Sequence, residues 1–96
     1  MYIILLKFSD NKDQASQFME GHKAWLKRGF DDGVFLAAGS LQPNAGGGIM
    51  AHNASMPDLL DRINEDPFVS ENIVKAEILE ITPSMAAEPM EFLLAK

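Results

Sequence analysis

Tyr2-Ile3-Ile4-Leu5-Leu6-Lys7-Phe8 is the stretch that decides the fold. It is short, rich in branched and aromatic side chains, and apolar on both alternating faces. Ile3 and Leu5 point one way; Tyr2, Ile4, Leu6 and Phe8 point the other. A strand of that kind lies in the middle of a sheet and meets apolar material on both sides. The run is too short for a membrane span or the core of a signal peptide, and no basic leader precedes it.

Working outward, Ser9–Asp13 is polar and turn-like. After it, Ala15, Phe18, Met19, His22, Leu26, Gly29 and Phe30 recur every three or four residues. That spacing predicts an amphipathic helix from Asp13 to Asp32, stopped by Gly33. Val34–Leu41 reads as a second strand, Gln42–Gly48 as a loop by composition, and Ile49–Ala54 as a third strand. Ser55 at the N-cap, or Met56 followed by Pro57, opens a second helix with Leu59, Leu60 and Ile63 on its apolar side. It ends near Glu65, because the residue before Pro67 disfavours helical angles. Pro67–Asn72 is a short helical turn, and Ile73–Thr82 is the fourth strand.

The order βαββαβ predicts an α+β, ferredoxin-like fold with an antiparallel sheet and both helices on one face. The opposite face is left open, and the first strand is apolar there too. A second copy packed sheet to sheet covers it best, so a homodimer is expected. Residues 1–83 form the domain. The tail 84–96 carries Met90, Phe92, Leu93 and Leu94, and is expected to dock on its own subunit or on a partner.

The chain has 96 residues, enough for one domain, and 47% of them are apolar. Fourteen acidic residues against eight basic ones give a net charge of −6, with no Lys/Arg cluster beyond Lys27-Arg28. That composition offers no footprint for nucleic acid or an anionic membrane. Cysteine is absent. This excludes disulfides, thiol chemistry and zinc–thiolate sites, and fits a cytoplasmic protein.

His22 is the leading candidate for chemistry, since it places an imidazole among core-facing side chains. Histidine titrates near neutral pH and is the commonest general acid–base group. Its best partner is Asp66 in Asp66-Pro67-Phe68. Asp66 has a structural role open to it as well: an N-cap, with Pro67 at the first helical position. The roles are compatible if one carboxylate oxygen caps the turn while the other holds the imidazole N–H. Trp25 and Phe68 are candidate pocket walls, with core packing as the alternative, and Ser40 could offer a hydroxyl to a ligand. No nucleophile elbow surrounds Ser40. Gly46-Gly47-Gly48 lacks the following lysine and helix of a phosphate loop. His22 and His52 could in principle share a metal with a carboxylate, but they show no familiar metal spacing, so no metal is expected.

His22 followed by Leu26, Ala38-Gly39-Ser40-Leu41 in the second strand, and Asp66-Pro67-Phe68-Val69 after the second helix, in the order βαββαβ, resemble the YCII-related (YciI-like) family. The resemblance covers Met1 to Pro83 and leaves the tail outside it. It implies a dimeric α+β barrel similar to muconolactone isomerase, a catalytic pair matching His22 and Asp66, and no cofactor. One branch of that family dechlorinates a chlorinated hydroxyhydroquinone. The expected function is a cofactor-independent acid–base enzyme, of isomerase or dehydrohalogenase/lyase type, acting on a small organic molecule. The alternatives are a non-catalytic ligand-binding or accessory dimeric module, and a purely structural oligomer built through the tail. A reactive pair should stand beside an open cavity; a structural pair should be sealed by Trp25, Leu26 and Phe68.

Overall fold

The computed structural model describes residues 1–94. Strand β1 (Tyr2–Phe8) leads through a 3-10 turn (Lys12–Gln14) into helix α1 (Ala15–Asp31). Strands β2 (Phe35–Leu41) and β3 (Gly46–Ala51) form a hairpin. Helices α2 (Met56–Asn64) and α3 (Pro67–Ser70) precede strand β4 (Val74–Glu80), and a 3-10 segment (Glu88–Leu93) follows. The sheet has four strands in the order β2-β3-β1-β4, every neighbouring pair antiparallel. This is the ferredoxin-like α+β arrangement, with the doubly apolar first strand in the interior of the sheet as its composition requires.

Register fixes what faces the helices. Tyr2, Ile4 and Leu6 of β1 pair with Ala51, Ile49 and Gly47 of β3. The apolar residues of these pairs join Phe35 and Val74, and Trp25, Leu59, Ile63 and Phe68 from the helices, in one core. α2 starts as its sequence dictates: Ser55 Oγ accepts from the Asp58 amide at 3.3 Å, with Pro57 in the first turn. α1 stops before Gly33, whose φ of +75° favours a residue without a side chain.

Two expectations need correction. The buried line of α1 runs through Trp25 and Gly29, while Met19 and Phe30 are 37% and 43% exposed. The stripe is rotated because α1 packs against α3 as well as the sheet. At Gly29 the absent side chain lets Phe35 lie against the helix; a Cβ there would fall 2.1 Å from its ring. Second, Gly46-Gly47-Gly48 is not loop but the first half of β3. It pairs with Lys7, Leu6 and Leu5 on one side and with Leu41, Ser40 and Gly39 on the other. Hydrogen bonding to two neighbours overrides the weak strand propensity of glycine. Gly46 has φ +128°, and a Cβ on it would meet the Leu6 carbonyl oxygen at 1.9 Å. The connecting loop shortens to residues 42–45, and His52–Ala54 lie beyond the strand.

The other sheet face carries Ile3, Leu5 and Met50, half-buried, and Leu79, exposed. Past β4, Ile81 exchanges backbone hydrogen bonds with Met1, both 2.8 Å. The tail then returns to the end of β3, where Phe92 meets His52 edge-on with ring centroids 5.3 Å apart. Phe92 and Met85 remain 53% and 88% exposed. Ala95 and Lys96, the end of the expected docking tail, lie outside the described residues. Among the described residues, no helix is long and apolar enough to cross a membrane.

Candidate functional site

Asp66-Pro67-Phe68 builds the site from local rules. Asp66 is the N-cap of α3: its Oδ1 accepts from the Phe68 amide at 3.0 Å, and Pro67 occupies the first turn. The turn throws the Phe68 ring against α1. There the ring stacks flat on the His22 imidazole, with centroids 4.1 Å apart and planes 3° off parallel. Gly21 permits this docking, since a Cβ on it would stand 3.1 Å from Pro67 Cγ.

His22 Nδ1 lies 2.9 Å from Asp66 Oδ1. The two residues are 44 positions apart in sequence and meet only because α1 and α3 pack together. A carboxylate can only accept, so Nδ1 carries the proton and Nε2 is left as a lone-pair base. The expected division of labour between the two carboxylate oxygens is not what occurs. Oδ1 takes both the imidazole and the Phe68 amide, while Oδ2 is buried with no partner among the described residues. Leaving a buried acceptor without any partner costs about 1–3 kcal/mol. His22 retains slight exposure and Asp66 has none.

A cavity of about 360 Å³, partly open to solvent, begins at the imidazole. α1 supplies Met19, His22, Lys23 and Leu26 to its walls, and Phe68 closes one side. The sheet beneath lines it with Leu6 and Phe8 of β1, Ile49 of β3 and Val74 of β4, but toward the β2–β3 hairpin it offers only Ala38, Ser40 and Gly47. The helix sits tightly on the sheet at Gly29, while over these three positions only small residues rise to meet it. Glycine at 47 is not demanded by the backbone, since a Cβ would touch only the Gly39 carbonyl oxygen, at 3.5 Å. It would project into the space a ligand needs.

Of the sequence candidates, His22, Ser40 and Phe68 share this cavity. Asp66 stands behind His22, out of the cavity but in contact with the imidazole. Trp25 is not a cavity wall. It is 1% exposed, its Nε1 donates to the Arg62 carbonyl at 2.8 Å, and its ring lies 5.8 Å from His22 on the core side. His52 lies against Phe92 and does not border the cavity. No group of three metal-ligating side chains occurs among the described residues. Sequence reading missed Lys23 and Asn44, which border the cavity, and Gly21 and Gly47, which make room for the pair and for a guest. Lys23 carried a signal that was available: it is the neighbour of His22 on the same helix.

No family model matches the chain, and no curated protein matches it. Among solved structures it is similar to the 5-chloro-2-hydroxyhydroquinone dehydrochlorinase of Burkholderia phenoliruptrix AC1100, in complex with 2,5-dihydroxybenzoquinone. The two share 11% identity over 85% of this chain and 94% of that one, with a TM-score of 0.68. Such a likeness establishes the ferredoxin-like α+β fold for this chain, and fold alone.

Proposed function

We propose that this protein is a cofactor-independent acid–base enzyme of the YCII-related type, acting on a small, partly apolar organic molecule in the cavity beside His22. The observation that carries the reading is the 2.9 Å contact between His22 and Asp66 at the wall of an open cavity. A sealed pair would have argued for structure alone.

His22 Nε2 takes a proton from a substrate carbon. Asp66 holds the ring in the tautomer that leaves Nε2 free and faces the imidazolium that forms. The electron pair of the broken C–H bond then has two outlets. It forms a new double bond while a leaving group such as halide departs with its own electrons, which is elimination. Or it moves through an enolate that regains the proton at another carbon, which is isomerisation. The dehydrochlorination named for the structural neighbour belongs to the first outlet.

The same reading includes a homodimer. Ile3, Leu5, Met50 and Leu79 leave an apolar face on a small domain, and a second copy laid sheet to sheet covers it. The cysteine-free composition suits the cytoplasm.

The test is a turnover screen over small lactones, quinols and halogenated aromatics, run with wild-type protein and the His22→Asn variant. Activity should fall at least about 100-fold in the variant, with ligand affinity and oligomeric state retained. Full activity without the imidazole ends the proposal. Binding without turnover by the wild type, across a panel that includes true ligands, hands the cavity to a non-catalytic binding module.

A further inference from the structure

We infer that the cavity is built for a small organic anion, and that Lys23 is the residue that recognises its charged oxygen. The inference rests on the reading of His22 as the proton-moving group and names the substrate class of that site.

The first observation is a bias in the cavity wall. The chain holds fourteen carboxylates and eight basic residues. Yet no aspartate or glutamate borders the cavity among the described residues, and its one permanent charge is Lys23. A protein of net charge −6 repels anions at long range, so an anionic guest needs a local cation at the cavity. Removing carboxylates from that wall serves the same end.

The second observation is that Lys23, like Arg28 and Lys75, is unspent among the described residues, and that it alone of the three borders the cavity. Lys7 pairs with Glu77 at 3.2 Å, Lys27 with Asp31 at 2.7 Å, and Arg62 with Asp32 at 2.9 Å. Lys12 sits 5.2 Å over the Phe8 ring. Lys23 has neither an ion pair nor a side-chain hydrogen bond among the described residues. Ser40 and Asn44 also border the cavity, each with a group able to donate a hydrogen bond.

The third is chemical. When His22 removes a proton, negative charge develops on a substrate held in the cavity that Lys23, the next residue of α1, also borders. A cation placed there is stronger at the transition state than in the ground state, and it also holds a substrate that arrives already ionised. The apolar part of such an anion has Leu6, Phe8, Leu26 and Phe68 to lie against. A carboxylate and an ionised ring oxygen present the same chemistry to Lys23.

Calorimetric titration at pH 7 tests this with three probes: benzoate, 2,5-dihydroxybenzoquinone as a ring oxyanion, and hydroquinone as a neutral ring. Wild-type protein, K23M, K23R and H22N are compared, with circular dichroism and urea unfolding to confirm that each folds. The expected result is that an anion binds wild type more tightly than hydroquinone and loses about tenfold or more in K23M, with most of it restored in K23R. Hydroquinone should be indifferent to the substitution. Loss for benzoate alone, or for the ring oxyanion alone, supports the inference and tells which oxygen the site prefers. Equal anion affinity in K23M, preference for the neutral ring, or no anion binding by wild type overturns it. H22N should keep its anion affinity. If proton transfer by His22 is wrong, these binding results are unmoved; if Lys23 is wrong, the turnover loss of His22→Asn still stands.

Discussion

Gly47→Val separates a cavity kept for a guest from one that is incidental. The new side chain adds three carbons, roughly the space of two to three waters at about 30 Å³ each, or about a fifth of the 360 Å³ available. The backbone admits it: the Cβ meets only the Gly39 carbonyl oxygen at ordinary contact distance, 3.5 Å. The site lies in β3, between β1 and β2, where a β-branched residue suits the pleat and a glycine wastes backbone entropy. Those effects, with partial burial of the methyl groups, should stabilise the fold by about 0.5–1.5 kcal/mol. For a chain of 96 residues each kcal/mol raises Tm by roughly 4–8 °C, well within calorimetric reach. Ligand binding should fall at the same time, and most for the bulkiest compounds of a graded panel. Stability gained with affinity lost is the signature of space preserved for function. A variant that is destabilised by more than about 1 kcal/mol, or one that binds every ligand as before, would refute the reasoning about the floor of the cavity.

Gly46→Ala, one position away, should behave in the opposite way, because its Cβ collides with the Leu6 carbonyl oxygen and φ is +128°. Urea unfolding should show a loss of about 2 kcal/mol or more. Trp25→Phe should cost about 1–3 kcal/mol, from lost core volume and one lost hydrogen bond to the Arg62 carbonyl, which keeps its bond from the Glu65 amide, measured by the shift in urea midpoint. Asp66→Asn leaves the amide oxygen able to accept from both Phe68 and His22, so α3 should persist while the charge facing the imidazole disappears. Nitrogen-15 spectra of the His22 ring should show Nδ1 still protonated, with turnover reduced; a switch to the Nε2-protonated form in wild type would contradict the assigned roles. Leu5→Glu puts a charge in the middle of the outer sheet face, and sedimentation should then report a folded monomer for the variant where the wild type sediments as the proposed dimer.

Much of this was legible because it was local. Asp66-Pro67-Phe68 announces a capped turn through chemistry contained in three residues, and Ser55 through Asp58 does the same for α2. The two-sided apolarity of Tyr2–Phe8 placed it inside the sheet. What failed depended on partners distant in sequence. Gly46-Gly47-Gly48 was read as loop because strand membership there comes from Leu5–Lys7 and Gly39–Leu41, not from glycine itself. Trp25 could not be assigned to core or cavity by spacing, since it sits beside His22 on the helix surface and only the Arg62 carbonyl decides the matter. The sharing of one carboxylate oxygen by two donors was likewise beyond reach, because rotamers follow from packing between α1 and α3.

The tight seat of Gly29 on Phe35 makes α1 a lever with its fulcrum at one end. A methyl group placed under that fulcrum would tilt the whole rod, and the displacement would grow with distance toward His22. Relatives of this chain could therefore retune the depth of the chamber by changing one atom two turns away, leaving every residue that touches the guest untouched.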